Sequence, residues 1–326
     1  MKTSKLSGIF GLGGALALAC GVHGAPLTAG DPVPLPGTKG GCDFIRVDTN
    51  AGRLLLGHEH NKSFDVFDLS SKTLLKIVPT STSQDAAVDV KRGNYYVSGN
   101  DPARMVIVNA KDLTITGEVP LPSDADLIGF DETSGLVHVC NDKAAEEWVI
   151  DPDAKKIVTT ITFDGKGLED LAFGPHHKRL FQAVKGSNTI AVVDAATNKV
   201  LNAWPLAPDK SPHGIAVVPD SDGLLVACAG SLVLLDRETG KILDQAKTAP
   251  RVDEMAYDPG LHVAYCASRM GQISVVGVAA DKLTPLGDVP DQQGTGSIAV
   301  DPKTHTVWVA SHKGDDAFVQ PFTPSK

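Results

Sequence analysis

The feature that most constrains this chain is an internal repeat. One unit recurs: a short apolar strand ending near Asp-Pro, a turn, and a second strand ending in a small residue. A polar loop follows, then a third strand ending in Asp, a turn with Gly or Lys, and a fourth strand. Third strands are clearest at Phe64–Asp68, Val106–Asn109, Trp148–Asp151, Ile190–Asp194 and Leu232–Asp236. First strands read Phe44–Asp48, Asp85–Asp89, Leu127–Asp131, Asp170–Phe173, Gly214–Val217, Glu254–Asp258 and Ser297–Asp301. Successive units begin near residues 42, 83, 125, 168, 212, 252 and 295. That is a period of about 41, within the range of a four-stranded blade. Each apolar run is bounded by Gly, Pro, Asn or Asp, and none has a sustained helical period. One such unit cannot bury both faces of its sheet, whereas a ring of them can. The chain therefore reads as all-β: a seven-bladed β-propeller of four-stranded blades.

The seventh unit lacks a fourth strand. Its counterpart lies at the other end, where Leu27–Gly37 (LTAGDPVPLPG) matches Leu113–Ser123 (LTITGEVPLPS), the fourth strand of unit two. The N-terminal strand is thus expected to close the last blade and remove an open sheet edge. Prolines suit these outer strands, which tolerate a missing N–H.

Ahead of the repeats, Lys2 and Lys5 precede a charge-free apolar run from Leu6 to Cys20. This is the pattern of a secretory signal over residues 1–24, cleaved before Ala25, with the propeller over 25–326. Periplasmic or secreted export follows. A lipid anchor on Cys20 is the less favoured alternative, because Ala17 stands where a lipobox wants Leu. No later run reaches the ~18 apolar residues of a membrane helix. Without Lys2 and Lys5 the chain has 28 basic against 39 acidic groups, a net charge of −11. That balance disfavours a surface built to neutralise phosphates. At 42% hydrophobic the chain can build a large core. Its 32 Gly and 21 Pro punctuate short strands and do not signal disorder.

Units such as Ile298–Ala310 (IAVDPKTHTVWVA) and Asn188–Val200 (NTIAVVDAATNKV) resemble the YVTN-type propeller repeat. The chain from 27 to 320 resembles an exported YncE-like propeller. The resemblance implies the fold and leaves the activity open, since related propellers include binding proteins, cell-surface proteins, lactonases, lyases and electron-transfer subunits. It transfers no catalytic residue.

Function has to be argued from a site. In a blade, the approach to strand one and the loop between strands two and three share a face. Five residues before each strand-one terminus lie Asp43, Gln84, Asp126, Glu169, His213, Asp253 and Gly296. These should ring one mouth of the central channel. The strand two–three loops add His58, Glu59, His60, Asn61, Asn100, Asp101, Asn141, Asp142, Lys185, Arg269, His312 and Lys313. Glu59 and Arg269 join the ring residues as a ligand funnel. His58 and His60 of blade one and His312 of neighbouring blade seven are the candidate metal ligands. Imidazoles with carboxylates suit Zn²⁺ or Cu²⁺, and a carboxylate ring suits Ca²⁺. Set against this, polar loops face water in any case, and Asp before a strand commonly satisfies backbone N–H groups.

Cys140, Cys228 and Cys266 read as sharing one repeat position near the end of strand two. Gly57, Ser98, Ala183 and Ala310 hold it elsewhere. Equivalent strands of adjacent blades stand roughly 10 Å apart, too far for a disulfide, so free buried thiols are expected. There is no Gly-x-Ser-x-Gly elbow, no Cys-x-x-Cys-His and no His-Glu-x-x-His. The leading reading is an exported binding or scaffold propeller that holds a polar or cationic ligand, or a partner protein. The alternative is a metal-dependent, lactonase-like hydrolase or a lyase, with Asp126, Glu169 or Asp253 holding the cation and His213 or His58 as base. Nucleic-acid binding, suggested for some YncE-like relatives, is the least favoured. It would need a local patch of Lys185, Arg269 and Lys313.

Overall fold

The computed structural model describes residues 26–325 apart from Asp142. The expected leader over 1–24 and the candidate lipid site Cys20 lie outside the described residues, as does Asp142 itself. Seven antiparallel sheets stand in a ring: six have four strands in sequence order, and the seventh joins the last three strands of the chain to two short N-terminal pieces. Blade 1 comprises Ile45–Asp48, Arg53–His58, Ser63–Asp68 and Thr73–Pro79. Its middle strands are buried almost throughout, while the fourth is largely exposed. Strands covered on both faces need continuous apolar runs, which is why Leu54–Leu56 and Val106–Val108 do not alternate.

The core is divided as the repeat predicts. Seven apolar clusters each join one pair of consecutive blades, and Phe44 of blade 1 reaches across to the one between blades 3 and 4. The cluster that closes the ring sets Trp308 and Val319 of blade 7 against Leu54 and Phe67 of blade 1. Blade 7 is completed from the N-terminus, where Leu27 pairs with Pro324 and Val33 with Val319. The closing strand comes in two pieces, Leu27–Ala29 and Val33–Pro34, interrupted around Asp31-Pro32. Among the described residues no helix is long and apolar enough to cross a membrane.

The recurring strand-end aspartates are turn makers. Asp48 Oδ1 accepts the N–H groups of Asn50 and Ala51, and Asp151 Oδ1 those of Asp153 and Ala154. Asp236 does the same for Glu238 and Thr239. Hydrogen bonds from Ser71 and Ser70 hold the Asp68 carboxyl down at about 2. These acids are absorbed by the fold.

All four described cysteines are free. Their shared position needs correction. Asp43 N–H donates to Gly57 O, Asp126 N–H to Cys140 O, and His213 N–H to Ala227 O. Ala227 therefore occupies the repeat position in blade 5, and Ala267, paired with Glu254, does so in blade 6. Cys228 and Cys266 sit one residue to either side, and Cys140 alone of the three holds the site. Pairing between Glu254–Asp258 and Val263–Ala267 is regular, so Cys266 lies opposite Met255, one residue short of the shared position.

Candidate functional site

The inner strands bring the expected ring together. Asp43, Gln84, Asp126, Glu169, His213 and Asp253 line one cavity of about 330 Å³, together with Glu59 and Arg269. Gly296, the seventh ring residue, gives no side chain. A Cβ there would lie 2.2 Å from Asp253 Oδ2, so its absence is what lets the Asp253 carboxylate lean across blade 7. Asn100 and Lys185 also line the wall, as their loops suggested, while Phe44 and Lys143 were missed. Lys143 follows Asp142 by one residue. Phe44 was passed over as a strand residue, although it follows the ring residue Asp43 directly.

The bases of the funnel come from the strand two–three loops, and two of them meet the ring acid of their own blade. Lys185 pairs with Glu169, and Arg269 Nη2 with Asp253 Oδ2 at 2.5 Å. Lys143 pairs with Asp124 at the rim. Blade 1 differs, because the carboxylates of Asp43 and Glu59 form no ion pair among the described residues. Burial pushes Asp43 well above the usual carboxylate range, and Glu59 and Asp253 add to the rise against the pull of Arg269. Burial also raises Glu169, opposed by His213 and Lys185. His213 Nδ1 lies 2.8 Å from the Ser211 carbonyl, which makes that nitrogen the donor. In neutral His213 the other nitrogen, Nε2, is then an acceptor.

Below the funnel the channel is blocked. Two residues before each strand-one terminus stand Ala87, Gly129, Ala172, Ala216, Ala256 and Ala299, but blade 1 carries Arg46. Its guanidinium reaches from blade 1 to acids of blades 2 and 4. Arg46 Nε and Nη2 donate to Asp85 of blade 2 at 2.9 and 2.8 Å, and Nη2 also reaches Asp170 of blade 4 at 3.0 Å. The Phe44 ring lies over the guanidinium, 5.5 Å away. Asp85 Oδ2 accepts Ile128 N–H, Asp170 Oδ2 accepts Ile215 N–H, and Glu254 Oε2 accepts Ile298 N–H. Acids of the even blades thereby tie each to the next. A second cavity of about 320 Å³, walled by Val47, Val217, Tyr257 and Val300, opens beneath Arg46. A larger groove of about 580 Å³ runs between the turns of blades 7 and 1, but its acids Asp68 and Asp301 are engaged in those turns.

The histidines separate. His58 is fully buried, with Nδ1 2.7 Å from Asp65 Oδ2 and Nε2 3.1 Å from Gly40 O. Both of its ring nitrogens face acceptors, so it fastens blade 1 internally. His60 and His312 do meet across blades 1 and 7, with ring centroids 6.1 Å apart, outside the funnel wall. His60 Nδ1 accepts Gly41 N–H, and His312 Nδ1 faces the Gly314 carbonyl. Among the described residues no group of three or more His, Cys, Asp or Glu is placed to hold a metal ion.

Comparison with known proteins agrees with this architecture. The chain is 27% identical over 231 residues to an uncharacterised protein YncE of Salmonella typhi, and 26% identical to that of Salmonella typhimurium. The chain is a YncE-like seven-bladed propeller. The match spans 69% of this chain and 62% of the length of those relatives. No protein-family model matches. Among solved structures, Kuenenia stuttgartiensis hydrazine synthase superposes with a TM-score of 0.73 at 14% identity, covering 84% of this chain and 93% of that one. That likeness extends the YncE-like propeller's kinship in fold alone.

Proposed function

We propose that this chain is a binding propeller that holds a small cationic or polyhydroxylated ligand in the funnel. The observation that carries the reading is the charge pattern of that one cavity. Its lining has five acids, Asp43, Glu59, Asp126, Glu169 and Asp253, against Lys143, Lys185 and Arg269. The blade 1 acids form no ion pair among the described residues, so the excess of acidic side chains over bases is local to that side of the cavity. A cation there gains from both carboxylates, and hydroxyl groups can donate to Asp43, Glu59 and His213. The pairs Lys185–Glu169 and Arg269–Asp253 engage the ring acids of blades 4 and 6. Export outside the cytoplasm is part of the proposal and rests on residues 1–24; N-terminal sequencing of the recovered protein checks it.

The test is a thermal-shift and calorimetric panel on the full chain. Small alkylamines, hexoses, short carboxylates, Zn²⁺, Cu²⁺ and Ca²⁺ are each offered alone. Amines or hexoses should stabilise the protein, and Asp43→Asn should remove the effect. Stabilisation by carboxylates alone, or none that depends on Asp43, overturns the reading.

A further inference from the structure

Resting on that reading of the funnel, we infer that its ligand is an α-amino acid, or a molecule with the same adjacent ammonium and carboxylate. The cavity places acidic and basic side chains next to one another. Asp43 and Glu59 stand on blade 1. The next ring position, in blade 7, is Gly296, so the Asp253–Arg269 pair of blade 6 extends over it towards blade 1. Arg269 commits Nη2 to Asp253, yet its side chain is 45% exposed and lines the cavity. A guanidinium has five N–H donors in a fixed fork, which leaves Arg269 able to take a carboxylate as well. An ammonium docks at Asp43 and Glu59 while the carboxylate bound to the same carbon meets Arg269. His213 on blade 5 and Gln84 on blade 2 remain to meet the side chain of the ligand, and Phe44 offers an apolar floor.

The same arrangement ranks simpler ligands below it. A plain carboxylate reaches Arg269 but confronts the acidic excess of the lining. A plain amine satisfies blade 1 and leaves the spare donors of Arg269 to water. An amino acid is neutral as a whole and engages both walls.

The experiment uses the full chain and isothermal titration. Each common L-amino acid is titrated, and the tightest is compared with its decarboxylated amine and its deaminated acid. The amino acid should bind at least about tenfold more tightly than either, the worth of one charge-assisted hydrogen bond. Arg269→Gln should abolish the preference for the amino acid over its amine, and a urea-unfolding midpoint close to that of the parent shows that the variant is folded. Asp43→Asn should weaken both. An amine that binds as tightly as its amino acid, or an amino-acid affinity indifferent to Arg269→Gln, overturns the inference while the cation-binding funnel stands. Failure of every amine and every amino acid to bind overturns both. Tightest binding by the deaminated acid does the same.

Discussion

Replacing Arg46 by Met tests the account of the channel most directly. The substitution keeps an unbranched chain but removes the guanidinium that joins blades 1, 2 and 4. Asp85 is fully buried and the Asp170 side chain is 6% exposed. Removing one partner of a buried pair costs about 3–5 kcal/mol. Here the cost is smaller, because the Arg46 side chain is 35% exposed and water already screens part of the interaction. Each acid also keeps two backbone donors, Ala86 and Ile128 for Asp85, and Leu171 and Ile215 for Asp170. A loss of about 2 kcal/mol at pH 7 follows. The deficit should depend on pH. Burial raises Asp170 above its ordinary value, and Arg46 is the main influence holding it down. Without Arg46, Asp170 rises further, so the folded variant binds more protons than the unfolded chain. Its stability then falls as pH climbs from acid towards neutrality, and the gap from the parent narrows again near pH 4–5. Urea titrations followed by the fluorescence of the three Trp residues, at pH 7 and pH 5, measure both effects. Adding Asp170→Asn to the Met variant should restore part of the loss at pH 7. A Met variant within about 0.5 kcal/mol of the parent, the ordinary range of surface changes, would refute the reasoning, as would a deficit identical at both pH values.

Three further outcomes are expected. Gly57→Ala places a Cβ 1.9 Å from the Gln84 carbonyl oxygen of the next blade, so two backbones must separate; a loss of about 3 kcal/mol or more in urea unfolding is expected, at the high end for overpacking, whereas Cys140→Ala at the equivalent position should cost much less. Gly296→Ala drives the Asp253 carboxylate from its seat, 2.2 Å from the new Cβ; calorimetry should show weakened funnel binding with little change in unfolding midpoint, and unaltered binding would mean that the Asp253–Arg269 pair is not needed. Asp291 has a buried Oδ1 without a partner and is pushed up to about 6 by burial. Its folded state favours the proton, so its contribution is lost as pH rises through 6, and Asp291→Asn should stabilise the protein by roughly 2 kcal/mol at pH 8 and little at pH 4.

Much of the fold is readable along the chain because each blade must solve the same burial problem with the same spacing. The match of Leu27–Gly37 to Leu113–Ser123 even locates the closing strand. The funnel ring is readable for the same reason: position five before Asp48, Asp131 or Asp258 faces the axis in every copy. Departures arise where the period slips or where side chains from different blades converge. Cys228 and Cys266 each lie one residue from the shared site, which Ala227 and Ala267 hold, and only the pairing across the strands shows it. His58 looks like His60 in a linear pattern, yet the strand ends at His58, whose ring meets Asp65, and a 3-10 turn over Glu59–Asn61 carries His60 away from it. Arg46 was visible as one large residue among six small equivalents, but its partners Asp85 and Asp170 are 39 and 124 residues away. No local spacing reports that convergence. The ion pairs within the funnel were equally hidden, since a loop sequence does not say which acid its lysine will meet.

The seam in blade 7 has a consequence for how the molecule comes into being. Thr28 meets Thr323, so the ring is sealed by residues almost three hundred positions apart. Six blades can assemble from neighbours as the chain emerges, each closing loops of a few dozen residues. The seventh has to wait for the last strand. Until then the first segment is unmated, and the entropic cost of joining such distant points falls on the final step. The seam should therefore be the last part to form and the first to open. Cutting the ring between two other blades and linking the present ends would move that weak point around the circle without altering a single residue of the funnel.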